Sequence, residues 1–122
     1  MDIETFNADW LKAWTDKDVP RLLSFYSEDT EYRDPQTAAG IKGHEALRQY
    51  LTGLFAATPP MTYTPHEIWK THNGYCGRWY CTMDMPGGTK SYIRGFDLVV
   101  LKDGKIALNE VYVHPLPGAP AA

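Results

Sequence analysis

The sequence predicts an α+β fold in one domain, and three observations point to it. Apolar residues recur at helical spacing through the first half of the chain, Thr58-Pro59-Pro60 interrupts that pattern, and four runs of strand-forming residues follow, separated by turn-forming pairs. At 122 residues the chain can bury about two thirds of its unfolded surface, enough for a single core without covalent staples.

The first helix is read from Ile3, Phe6, Trp10, Ala13 and Trp14, with Glu4, Asp9, Lys12 and Asp16 on the other side; it runs to about Asp16. Asp18 is a helix N-cap with Pro20 in the following turn, so a short second helix carries Leu22, Leu23, Phe25 and Tyr26 and ends near Ser27. Glu31 to Arg33 forms a short strand leading into Asp34, and alternation puts Tyr32 on the same face as Asp34. Pro35 bars Asp34 from helical angles and holds it extended. A third helix, His44 to about Ala57, is apolar at Leu47, Tyr50, Leu51, Leu54 and Phe55.

Four strands follow. Met61 to Thr71 is the first, with Asn73-Gly74 as its hairpin turn, and Pro65 marks it as an edge strand or a bulged one. Tyr75 to Met85 ends at Pro86-Gly87-Gly88, Lys90 to Lys102 ends at Asp103-Gly104, and Lys105 to His114 closes the meander. Residues 1–114 make the domain, and the Pro- and Ala-rich residues 115–122 are expected to fray.

Composition removes several function classes. A net charge of −3 with no basic run offers no electrostatic footprint for nucleic acid. No window approaches the roughly 20 apolar residues of a membrane span, and the N-terminus lacks a basic segment leading into an apolar run, so a cytoplasmic protein is expected. His44, His66, His72 and His114 are spread singly, which predicts no metal. Neither Ser24 nor Ser27 has a histidine in a motif context, and Gly87-Gly88 and Asp103-Gly104 precede no helix that could hold a phosphate. Cys76 and Cys81, five apart on one strand, face opposite sides of the sheet and should not pair. The aromatic content of 13% suits a pocket lined with rings, and equally a core filled with them.

Two carboxylates stand out. Asp97 lies within Ile93-Arg94-Gly95-Phe96-Asp97-Leu98-Val99, where an isolated charge is costly, so its pKa should rise and the neutral acid could donate a hydrogen bond; an edge aspartate paired with Arg94 or Lys90 is the alternative. Asp34 before Pro35 is either an aimed general base or a common turn-forming pair. An acidic residue before proline, about nine residues ahead of Gly43-x-Glu45-Ala46-Leu47-Arg48, resembles the SnoaL-like and ketosteroid isomerase-like branch of the nuclear transport factor 2-like superfamily over nearly the whole chain.

That resemblance implies a cone-shaped, cystatin-like fold, with three N-terminal helices packed in a curved antiparallel sheet. It also implies a ligand cavity between sheet and helices and a homodimer through the other sheet face. Asp34 then matches the isomerase base and Asp97 the acid of its oxyanion hole, which in ketosteroid isomerase is kept protonated by an apolar site. A tyrosine of that hole is matched by Trp10, another on the third helix by Leu51, and one on the second helix by Tyr26. Two of these three tyrosines are replaced. Losing one such donor costs on the order of a hundred- to a thousand-fold in rate, which argues against efficient steroid isomerisation.

The same register implies that Tyr80, Thr82, Ile93 and Gly95 line the pocket, with Asp84 continuing that parity. On the last strand it favours Asn109, Val111 and Val113 inward over Glu110, Tyr112 and His114. Trp14, Trp69 and Trp79 read as core or interface residues, and Trp14 is also a substrate-binding candidate, as is Tyr32.

Two functions follow as expectations. One is a cofactor-free enzyme acting on a small apolar carbonyl compound by isomerase- or polyketide-cyclase-like proton transfer. In it Asp34 is the base and Asp97 the donor to the oxyanion, helped by Trp10 or Tyr26. The other is a non-catalytic ligand-binding or accessory dimer on the same scaffold.

Overall fold

Three helices lie against the concave face of one six-stranded sheet. The computed structural model describes residues 1–120. α1 (Ile3–Asp16) is capped by Asp2, whose carboxylate accepts a hydrogen bond from the Glu4 amide at 3.2 Å. It stops at Lys17, which turns into the left-handed region at φ 54. From there the Lys17 ammonium donates to the carbonyls of Phe55 and Thr58 at 3.2 and 2.7 Å, tying the end of α1 to the end of α3 (His44–Ala57). α2 (Val19–Phe25) begins at the expected cap, with the Asp18 carboxylate accepting from the Arg21 amide at 3.1 Å.

The sheet is longer at its start than the sequence pattern indicates. β1 (Tyr26–Arg33) begins directly after α2 instead of at Glu31, and β2 (Ile41–Lys42) pairs with it through Tyr32↔Ile41. Two residues are too few to carry an alternation, which is why β2 leaves no mark in the sequence. β3 (Met61–Thr71), β4 (Gly74–Asp84), β5 (Lys90–Lys102) and β6 (Lys105–Leu116) form the expected antiparallel meander. The strand order is β2-β1-β6-β5-β4-β3, and β1 runs parallel to β6, so the sheet is mixed rather than wholly antiparallel. A parallel neighbour needs a long crossover, and α3 with the rest of the meander supplies it.

The turns explain the register. Asp103 and Gly104, at φ 52 and 75, make the two-residue connection that favours positive φ at both positions. In the first hairpin Thr71 pairs with Gly74, so the turn residues are His72 and Asn73, one position earlier than expected. Gly74 is needed for packing: a Cβ there would lie 2.0 Å from the carbonyl oxygen of Val99. Pro65 sits on the edge strand, with a register shift between it and Glu67, so it marks both an edge and a bulge. β6 continues to Leu116, two residues into the stretch expected to fray; Ala121 and Ala122 lie outside the described residues.

The core lies between the helices and the sheet. Leu22, Leu47, Leu51, Tyr75, Val99 and Ile106 are fully buried between the helices and the inner sheet face. Beside it the packing gives way to a cavity.

Candidate functional site

The cavity measures about 220 Å³ and is walled by the rings of Trp10, Trp14, Tyr32, Tyr50, Tyr63 and Trp79. Asp34 and Asp97, 63 positions apart, both line it. It is smaller than the roughly 300–1,000 Å³ of pockets for drug-sized ligands, so it suits a compact molecule.

Asp34 stands just beyond β1, and both readings of Asp-Pro hold at once because its two oxygens divide the work. Oδ1 accepts from the Gln36 amide at 2.9 Å and from the Thr37 amide and hydroxyl at 3.0 Å, which closes the turn. Oδ2 accepts from the Tyr32 hydroxyl at 2.9 Å and the Tyr50 hydroxyl at 2.5 Å. Both phenols are held neutral well above the usual tyrosine range, burial being the first cause. A carboxylate oxygen has two lone-pair positions, so a substrate proton reaches Oδ2 only by displacing a phenol or by passing through one. Tyr50 also donates toward the side-chain oxygen of Gln36 at 3.1 Å.

Asp97 is 2% exposed on β5. Trp79 Nε1 donates to Oδ1 at 3.0 Å and Asn109 Nδ2 donates to Oδ2 at 3.1 Å. Burial pushes the carboxyl up to about 7, with the Asn109 and Trp79 hydrogen bonds pulling it back part of the way. Each oxygen keeps one lone-pair position, so a proton on either can still be donated to a ligand.

Trp79 reaches Asp97 because of a gap in the facing strand. Its partner across the ladder is Gly95, and a Cβ on Gly95 would lie 2.1 Å from the indole. The indole occupies that space and presents its N–H one step along β5.

The other expected residues are placed as follows. Trp10 walls the cavity, but its N–H donates to the Tyr26 hydroxyl at 3.3 Å, which donates to Asn109 Oδ1 at 2.9 Å. Tyr26 is buried behind the wall rather than in it, so neither residue offers a donor to the cavity and both act on Asp97 through Asn109. Trp14 walls the cavity, stacked on Tyr32 with ring centroids 6.4 Å apart, and Ile93 lines it too. Leu51 is fully buried core.

Tyr80 and Thr82 do not line the cavity. The partners across the ladder are Trp79↔Gly95 and Cys81↔Ile93, so the odd-numbered residues of β4 share the inner face with Ile93, while Tyr80 and Thr82 point outward with Asp84. A one-residue slip in the expected register exchanges the two faces. Tyr80 packs instead against His66, with ring centroids 5.4 Å apart. On β6 the inward set is Asn109, Val111 and Val113, the one the resemblance favours.

Sequence reasoning misses Tyr50, Tyr63, Cys81 and the active placement of Trp79. Tyr50 carries one signal, its place on the apolar stripe of α3 next to Leu51. A tyrosine one position earlier on that helix is turned by about 100°, away from the core and toward Asp34. Cys81 is buried and Cys76 lies on the other face; both are free. Among the described residues no three His, Cys, Asp or Glu side chains converge as metal ligands do, and no helix is long and apolar enough to cross a membrane.

Solved structures of the nuclear transport factor 2-like fold superpose on this arrangement of three helices, curved sheet and aromatic cavity with two acids. A protein of ketosteroid isomerase-like fold from Catenulispora acidiphila, in complex with trimethylamine, matches with TM-score 0.77 at 17% identity, over 88% of this chain and 83% of that one. TerC, co-crystallised with polyporic acid, matches with TM-score 0.77 at 16% identity, over 90% and 89%. The epoxide hydrolase/cyclase-like enzyme SalBIII, of pyran ring formation in polyether salinomycin, matches with TM-score 0.76 at 20% identity, over 91% and 89%. No curated protein matches the sequence. The model of the SnoaL-like domain matches residues 8–109, and the chain belongs to that family.

Proposed function

We propose that this protein is a cofactor-free enzyme of isomerase- or cyclase-like proton transfer, acting on a small apolar carbonyl compound in the cytoplasm. The observation that carries the reading is that Asp34 and Asp97 line one cavity. Asp97 keeps its proton in part of the population at neutral pH and hydrogen-bonds the developing oxyanion. Asp34 takes the proton from the adjacent carbon, with Tyr50 exchanging its hydrogen bond as the proton arrives. Asn109, Tyr26 and Trp10 are positioning residues, since they reach the substrate only through Asp97. SalBIII, a cyclase-like relative in fold, supports the reaction class, and the ligands of the other two neighbours support a small molecule in the cone. The same reading includes a homodimer through the outer sheet face, where Trp69, Phe96 and Tyr112 are 41%, 37% and 60% exposed.

The test is a panel of enolisable ketones and polyketide-like esters, followed with wild type and Asp34→Asn. Turnover by wild type should fall about a hundred- to ten-thousand-fold in the variant, with binding retained. Binding of a panel member without turnover by either protein would establish the accessory, non-catalytic reading instead.

A further inference from the structure

The sign of the charge in the cavity separates the ligands it can hold. Two carboxylates line it, and among the described residues no lysine, arginine or histidine does. Every hydrogen bond made to either carboxylate comes from a neutral donor: phenol, hydroxyl and amide on Asp34, indole and carboxamide on Asp97. Neither acid has an ion-pair partner among the described residues. Arg33, next to Asp34 in the chain, is occupied by Glu31 and Glu110 on the other side of β1.

The rings connect the two acids. Tyr50 packs on Tyr32 with centroids 5.8 Å apart, Tyr32 on Trp14 at 6.4 Å, Trp14 on Tyr63 at 5.8 Å and Tyr63 on Trp79 at 5.0 Å. This arc begins at the phenols bonded to Asp34 and ends at the indole bonded to Asp97. The Asp34 carboxylate at one end, the Asp97 carboxyl at the other and electron-rich rings between them form an environment that attracts an organic cation, by Coulomb energy from each acid in its ionised form and by cation–π attraction along the arc. An anion of the same shape would meet like charge from the ionised acids and no donor cation.

We infer that the small molecule this cavity takes carries a protonated or quaternary amine on its apolar carbonyl frame, so that the cavity selects a compact organic cation over neutral and anionic molecules of the same shape. The inference rests on the reading of this cavity as a small-molecule site, and it names the charge of the ligand rather than the reaction.

The probes are choline, the isosteric alcohol in which carbon replaces the nitrogen, and tert-butylacetate, followed by calorimetry and by the emission of the cavity tryptophans. Choline should bind at least about tenfold more tightly than the carbon isostere, a ratio equal to about 1.4 kcal/mol. Tert-butylacetate should not compete, and the ratio should fall toward one in Asp34→Asn and in Asp97→Asn. Equal binding of choline and its isostere, no saturable binding of choline, or competition by tert-butylacetate would overturn the inference, as would a ratio that survives in both variants. The wild-type comparison needs no variant, so it decides the matter even where Asp97→Asn does not fold. Turnover on the ketone panel is read separately. Turnover of neutral ketones without cation preference removes this inference and keeps the enzyme, whereas cation preference without turnover does the reverse.

Discussion

Among the described residues Asp97 faces only neutral groups: the Trp79 indole, the Asn109 amide and, beyond them, the phenols of Tyr26, Tyr63 and Tyr75, each pushed upward by burial. In the folded chain its carboxyl titrates at about 7, and in the unfolded chain it returns to about 3.9. Between those values the native state keeps a proton that the unfolded state has released. The stability contributed is therefore full below about pH 4, falls as pH rises through about 7 and levels off above it, by about 4 kcal/mol at most. Measured by urea denaturation from about pH 4 to about pH 9, the stability of Asp97→Asn relative to wild type should rise up to about pH 7 and then flatten. A relative stability independent of pH would mean that Asp97 titrates normally and carries no proton for an oxyanion. That Asp97 is buried and raised is readable from its apolar neighbours; its two donors are not, because Trp79 and Asn109 lie 18 and 12 positions away.

The strands decide which side chains share the cavity. β4 and β5 place Trp79 over Gly95, and this single missing Cβ lets the indole lie across the sheet and reach Asp97. Gly95→Ala should therefore cost about 1–3 kcal/mol by overpacking and shift tryptophan emission as the indole is displaced. Gly53→Ala in α3 is the matched control, since nothing lies within 4 Å of the added Cβ; it should stabilise by about 0.5–1 kcal/mol in the same thermal melts. Equal effects of the two substitutions would show that the Gly95 gap is not what seats Trp79. Most helix and strand bounds are legible from period and turn residues, β5 to the residue. The face of β4 is not. Alternation gives two faces without saying which is inward, and the expected register puts Tyr80 and Thr82 on the wrong one.

At the scale of the whole molecule, the convex sheet face carries Trp69 against Phe96 with centroids 5.9 Å apart, the Arg78 guanidinium 5.3 Å over the Trp69 ring, and Tyr112 exposed beyond them. Aromatic residues and arginine are the residue types that anchor protein interfaces. Sedimentation at micromolar concentration should show a dimer for wild type and a monomer for Phe96→Glu and Tyr112→Glu, with the cavity unaffected; a monomeric wild type would remove the dimer from the reading. The amino-acid sequence determined the α+β class, the three helices with the Asp18 cap of the second, the meander and the two acids of interest, because each follows from local periodicity, local turn chemistry or the cost of an isolated charge. Only the tertiary structure decided that those acids share one cavity, that Tyr50 rather than Leu51 attends Asp34, and that Trp79 rather than Trp10 donates to Asp97. Those outcomes depend on strand register and helix rotation, which are set by contacts between residues far apart in the chain.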